Sequence, residues 1–165
     1  MQPCRCALFR DLDVDEFHAD SPVRRFEALK KRGLPMWWLT LGRCADCGQY
    51  WLVAQEERLN DIYVLMRTTD EAAAAILARD DWPDTLSTYE ELLHIGKGNG
   101  HAARYANPSE LWPVAIDLVG QRPTITAHEF ASLSNISPAE ASSVLEHART
   151  EIANHGYPYP WRAAG

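Results

Sequence analysis

The sequence predicts an α+β protein, with an antiparallel sheet in its first half and a helical module in its second. Two observations carry this. Three runs rich in strand-forming residues, 36–41, 50–53 and 62–66, surround a tight cysteine pair. The last sixty residues instead repeat helix start signals followed by apolar positions three and four apart. We place the boundary near the glycine-rich stretch 96–101, giving units 1–96 and 97–165. The chain has 165 residues, 46% hydrophobic and 24% charged, which is ordinary globular composition and excludes disorder as the main state. No apolar run reaches the ~18 to 20 residues a membrane span needs, and the first 17 residues lack a secretory signal pattern. A cytoplasmic location is expected. The net charge of −7 argues against binding nucleic acid, because phosphate contacts need a surplus of Lys and Arg.

The cysteines are Cys4, Cys6, Cys44 and Cys47: a C-x-C, 37 intervening residues, then a C-x-x-C. A cytosolic chain of this length needs no disulfide staples, and its compartment keeps thiols reduced. Four soft ligands in two tight pairs suit tetrahedral zinc, with metal–sulfur distances of about 2.3 Å. Gly48, directly after the C-x-x-C, can take the positive φ that closes a metal knuckle. Free structural thiols and a redox pair are the alternatives, although no βαβ context for a dithiol oxidoreductase is present. Strand, knuckle, strand, turn, strand resembles a zinc ribbon, with a C-x-C before the first strand standing where the second C-x-x-C usually lies. A tetrathiolate has no open position, so such a zinc is structural. It carries a net charge of about −2, which Arg5 and Arg43 could offset.

The remaining elements follow in chain order. Ser21-Pro22 has the form of an N-cap and first helical residue. Val23, Phe26 and Leu29 continue on one helical face until Gly33, so a helix of about ten residues is expected there. Thr68 to Glu71 and Ser87 to Glu90 have capping-box spacing and open two further helices. Gly96-Lys97-Gly98-Asn99-Gly100-His101 lacks the phosphate-loop pattern and is taken as a flexible linker. Asn107-Pro108 starts a helix with Leu111, Val114, Ala115 and Leu118 on its apolar face. Thr126 caps the next. Ser137-Pro138-Ala139-Glu140 opens the last, carrying Val144, Leu145, Ala148 and Ile152. The final pair has helix-turn-helix spacing. Residues 157–161 form an aromatic, proline-rich tail expected to pack back on the module or on a partner.

No catalytic constellation is evident. The six histidines do not form H-E-x-x-H, and no serine lies in G-x-S-x-G. Glu56, Glu57 and Asp61 are the best carboxylate cluster, but they read as a turn between strands with Arg58 as its internal partner. An enzyme is not expected. Residues 81–165 hold 5 Lys and Arg against 10 Asp and Glu, a net of −5. The last helix offers Arg149 alone against Glu140, Glu146 and Glu151, a poor complement to DNA. The stretch Arg43 to Arg67 resembles small bacterial proteins of the toxin-immunity kind over about 25 residues, with the two cysteines and the glycine as its specific motif. That resemblance implies a protein that binds and neutralises a cognate toxin, often a basic nuclease. The acidic Glu56, Glu57 and Asp61 are the proposed partner contacts. The alternative is a helix-turn-helix transcriptional regulator with a structural zinc site.

Overall fold

The computed structural model describes residues 4–16, 21–33, 36–101 and 108–156. The predicted tail at 157–161 and the cap at Asn107 lie outside them. The fold is α+β, with a five-stranded antiparallel sheet at the N-terminus and a helical part at the C-terminus. Contacts divide the chain into two units. One comprises residues 1–56 and 61–87, the other residues 57–60 and 88–165.

The first unit holds β1 (Leu12–Glu16), β2 (Phe26–Lys31), β3 (Leu39–Cys44), β4 (Tyr50–Glu56), β5 (Ile62–Thr68) and α1 (Asp70–Arg79). Sheet order is β1-β5-β4-β3-β2, antiparallel throughout. Register and alternation sort the side chains into two faces. Leu41, Leu52 and Met66 are paired neighbours on one face, and Leu39, Ala54 and Val64 extend it. That face is fully buried at Leu39, Leu41, Leu52 and Val64. Ile76 of α1 and Leu86 are fully buried as well, and Trp38 donates its indole N–H to the Leu86 carbonyl at 3.0 Å. The opposite face carries Cys44, Trp51, Val53 and Leu65 in a second buried cluster.

Two elements differ from the sequence expectation. The helix expected from Ser21 to Gly33 is a single 3-10 turn, Pro22–Arg25, followed by strand β2. The local start signals are used, since Ser21 Oγ accepts from Val23 N at 3.2 Å. After one turn, pairing with β3 wins, and Phe26 stacks on the Trp51 ring at 6.0 Å and 14°. The acidic stretch from Asp11 contains strand β1, which pairs with β5. The caps of α1 and the next helix fall one residue later than the boxes suggested, on Thr69 and Thr88.

The second unit contains α2 (Tyr89–Gly98), α3 (Pro108–Gln121), α4 (Ala127–Ser134) and α5 (Pro138–His155). Gly96-Lys97-Gly98 belongs to the last turn of α2, so the linker expected there is helix instead. Gly96 is buried, and Lys97 Nζ donates to the Ser132 carbonyl at 2.8 Å, tying that turn to α4. The expected apolar positions of α3, Leu111, Val114, Ala115 and Leu118, are buried, and so are Ile116, Asp117 and Val119, so burial runs round the helix from 114 to 119. The capping box expected at Ser137 forms with Glu140, the cap expected at Thr126 forms as well and is closed into a second box by Glu129, and Asn135 turns the corner with φ +54°.

Glu129 does double duty. It accepts from the Thr126 N–H at 2.7 Å and from Arg122 Nη1 at 3.0 Å, while Arg122 also holds both oxygens of Glu90. The Thr126 hydroxyl and N–H, followed by Arg122, hold the Glu129 carboxyl down at about 2, against an ordinary 4.5. A depressed carboxylate contributes stability above its unfolded value, and the contribution is lost as pH falls through the folded one. Protection of the first-turn amides of α4 against hydrogen exchange is therefore expected to stay constant above about pH 5 and to fall between about 4.5 and 2. An unchanged protection profile across that window would show that Glu129 does not hold the turn.

Candidate metal centre

The two cysteine pairs, far apart in sequence, meet on the Trp51 face of the sheet. Cys4 caps a 3-10 turn, Arg5–Leu8, that contains Cys6, and the Cys6 N–H donates to Cys4 Sγ at 3.3 Å. Cys44 ends β3 and Cys47 sits in the following turn. Gly48 closes that turn with φ +79°, the left-handed conformation that its lack of a Cβ permits, and its N–H donates to the Cys44 carbonyl at 2.9 Å. The four sulfurs all lie within 4.8 Å of one another. Cys4 Sγ is 3.6 Å from Cys44 Sγ and 3.2 Å from Cys47 Sγ. A tetrahedral ion with metal–sulfur bonds of about 2.3 Å needs sulfur–sulfur edges of about 3.8 Å. The cluster therefore fits a single metal ion after small side-chain adjustments. Among the described residues, no other grouping of three or more His, Cys, Asp or Glu is arranged to hold one.

The protein surroundings act differently on the individual sulfurs. Burial pushes the Cys6 thiol well above its ordinary value, and the neighbouring Cys4 and Cys44 thiols add to the rise. Burial also opposes the Cys44 thiolate, but the backbone N–H groups of Cys47 and Asp46 outweigh it and bring that group below the ordinary thiol value. A coordinated cation removes the obstacle at Cys6, because metal binding deprotonates a thiol outright. The Trp51 indole N–H is buried in the cluster that contains Cys6 and Cys44 and favours the Cys6 thiolate, against the effect of burial.

Arg67 is the positioning residue that sequence reading missed. It lies opposite Trp51 in the β4–β5 register, its guanidinium 4.5 Å from the Trp51 ring centroid. From there Nη2 donates to the carbonyls of Cys6 at 3.2 Å and Phe9 at 3.0 Å, and Nε reaches Asp11 at 3.0 Å. It thus fastens the N-terminal cysteine turn to the sheet and places a cation beside it. Phe9 completes the arrangement edge-on to Trp51 at 5.7 Å. Only the three-dimensional pairing of β4 with β5 brings Arg67 to this turn, so no spacing in the sequence could have revealed it.

Of the two arginines expected to offset the cluster's charge, Arg43 lies along the knuckle, its guanidinium next to Gly48 and 5.7 Å from the Tyr50 ring centroid. Arg5 is exposed. Arg25 braces the same turn by pairing with Asp46 at 2.7 Å, and its carbonyl accepts from the Ala45 N–H.

The other candidate residues are placed as follows. Glu56 is fully buried at the end of β4, so it offers no exposed partner contact, while Glu57 and Asp61 are exposed. Arg58 reaches beyond that acidic turn. Its Nη1 pairs with Asp117 of α3. His94 lies 3.6 Å from Glu90 and His155 3.8 Å from Glu151, both on exposed helix faces, and His147 lies against the Trp112 ring. No helix among the described residues is long and apolar enough to cross a membrane. Comparison of the chain with models of known families, with curated proteins and with solved structures finds no match.

Proposed function

We propose that Cys4, Cys6, Cys44 and Cys47 bind one structural Zn²⁺, and that the protein so ordered is a non-enzymatic interaction protein of the toxin-immunity kind, neutralising a basic toxin. The observation that carries the metal half is the meeting of four sulfurs within 4.8 Å of one another, from two turns 37 residues apart. Four thiolates leave no coordination position for substrate or water, so the ion orders the N-terminal turn against the sheet and does no chemistry. The binding half is supported by the net charge of −7, since opposite potentials speed association with a basic partner. Exposed Glu57 and Asp61 are the contacts assigned to it.

The regulator reading has the capped α4–α5 corner in its favour. Its reading helix, however, exposes Glu140 and Glu146 alongside Arg149, and each carboxylate near a phosphate is unfavourable.

Elemental analysis of the isolated protein, paired with co-expression beside the product of the adjacent gene, tests the proposal. One zinc per chain is expected, together with rescue of growth and a stoichiometric complex that weakens as salt rises. A metal-free protein overturns the zinc assignment. A harmless neighbouring gene and no complex overturn the immunity assignment, and retardation of the protein's own promoter DNA in a low-salt gel shift replaces it with the regulator.

A further inference from the structure

The four sulfurs are not equivalent. Cys6 and Cys44 are buried in the Trp51 cluster, Cys4 is half-buried, and Cys47 is exposed. Cys47 lines an open cleft of about 590 Å³ with Arg43, Gly48, Gln49, Tyr50 and Leu77. A small polar reagent approaching from solvent therefore meets the Cys47 sulfur first. Cys4 Sγ stands 3.2 Å from that sulfur, closer than the 3.6 Å between Cys4 and Cys44.

We propose that Cys47 and Cys4 form a peroxide-reactive pair, so that oxidation turns the thiolate site into a Cys4–Cys47 disulfide and releases the metal. The inference rests on the zinc reading above and adds to it a modification site and its reagent class, a hydroperoxide. The Cys47 thiolate attacks one peroxide oxygen and the O–O bond breaks, giving a Cys47 sulfenic acid and hydroxide. The Cys4 thiolate then attacks the Cys47 sulfur, forming the S–S bond and expelling a second hydroxide. Two electrons pass from the two sulfurs to the peroxide, and two protons from water or buffer convert both hydroxides to water. Both a cationic residue, Arg43, and an acidic one, Asp70, line the same cleft. A disulfide needs sulfurs about 2.05 Å apart, so the pair closes by about 1.1 Å.

The metal loses two of its four ligands and dissociates. The burial of Cys6 and Cys44 and the grip of Arg67 on the Cys6 carbonyl are untouched by the bridge. Oxidation thus replaces one cross-link between the N-terminal turn and the knuckle with another. The oxidised protein keeps its folded sheet, whereas a chelated, reduced protein does not.

The test uses the intact wild-type protein. Zinc is measured first, a stoichiometric amount of hydrogen peroxide is added, released zinc is read with a chromogenic chelator, and the cysteines are mapped by peptide mass spectrometry after alkylation under denaturing conditions. The expected result is one zinc released per disulfide formed, a bridge joining Cys4 to Cys47, alkylated Cys6 and Cys44, and an unchanged near-ultraviolet dichroism spectrum. A zinc-loaded protein that forms a Cys44–Cys47 bridge, oxidises all four cysteines alike, or keeps its zinc overturns this inference and leaves the zinc reading standing. A protein with no zinc before peroxide overturns both.

Discussion

Replacing Cys44 with alanine is expected to unfold the sheet unit under conditions where the wild type is native. Cys44 is buried at the end of β3, opposite Phe26 and beside Trp51, and its sulfur is one of four converging on the proposed ion. Shortening a buried cysteine to alanine costs only about 1 kcal/mol in lost packing. Losing a metal ligand is a different order of effect. Structural zinc contributes about 10–16 kcal/mol in small zinc-dependent domains, and whole domains are stable by only about 5–15 kcal/mol. A loss above about 4 kcal/mol is therefore expected for Cys44→Ala, and a strong chelator acting on the reduced wild type should have a similar effect. Urea titrations followed by tryptophan fluorescence, with and without chelator, check both. Cys47→Ser separates the two contributions, because Cys47 is exposed and its replacement sacrifices a ligand with almost no packing. If Cys44→Ala and Cys47→Ser each cost about 1 kcal/mol or less, the four sulfurs are merely packed thiols.

In the second unit, replacing Asp117 with alanine should cost about 3–5 kcal/mol, the usual penalty for stranding one partner of a buried ion pair. Asp117 lies in α3 and Arg58 in the short segment 57–60, and their side chains are only 4% and 13% exposed. Arg58 also lies 5.5 Å from the Tyr89 ring centroid at the start of α2. Without Asp117 the guanidinium keeps its burial and loses the Asp117 carboxylate. Replacing both at once, as Arg58→Met with Asp117→Leu, removes the two charges together and should recover most of the loss. The difference between single and double variants in urea midpoint measures the coupling. A cost below about 1 kcal/mol for Asp117→Ala would mean that the pair is effectively hydrated.

What the sequence determined by itself was local in origin. The capping box at Ser137 and the cap at Thr126 place helix starts by contacts within three residues, so both could be read directly and formed where they were read. The burial of Leu111, Val114, Ala115 and Leu118 in α3 and the positive φ of Gly48 belong to the same class, because each depends on spacing or on a single residue's lack of a Cβ. Pairing the cysteines from the two turns needed only ligand chemistry and a count.

The remainder depended on partners distant in the chain. Residues 22–31 carry a helical start and helical spacing, yet β3 and the Trp51 ring draw Phe26 into a strand, because ladder pairing and aromatic stacking outweigh a weak local propensity. Glu56 and Glu57 are neighbours of one composition, but Glu56 is the last residue of β4, paired with Ile62 and buried, whereas Glu57 lies past the end of the strand and is exposed. Arg67 fastens the cysteine turn, and Arg58 reaches Asp117 in α3, because cross-strand register and helix packing bring those groups together. Such contacts join residues 59 to 61 positions apart. Capping and hydrophobic periodicity are decided within a turn or two of the chain, whereas the neighbours of a side chain across a sheet or between helices exist only once the chain has folded.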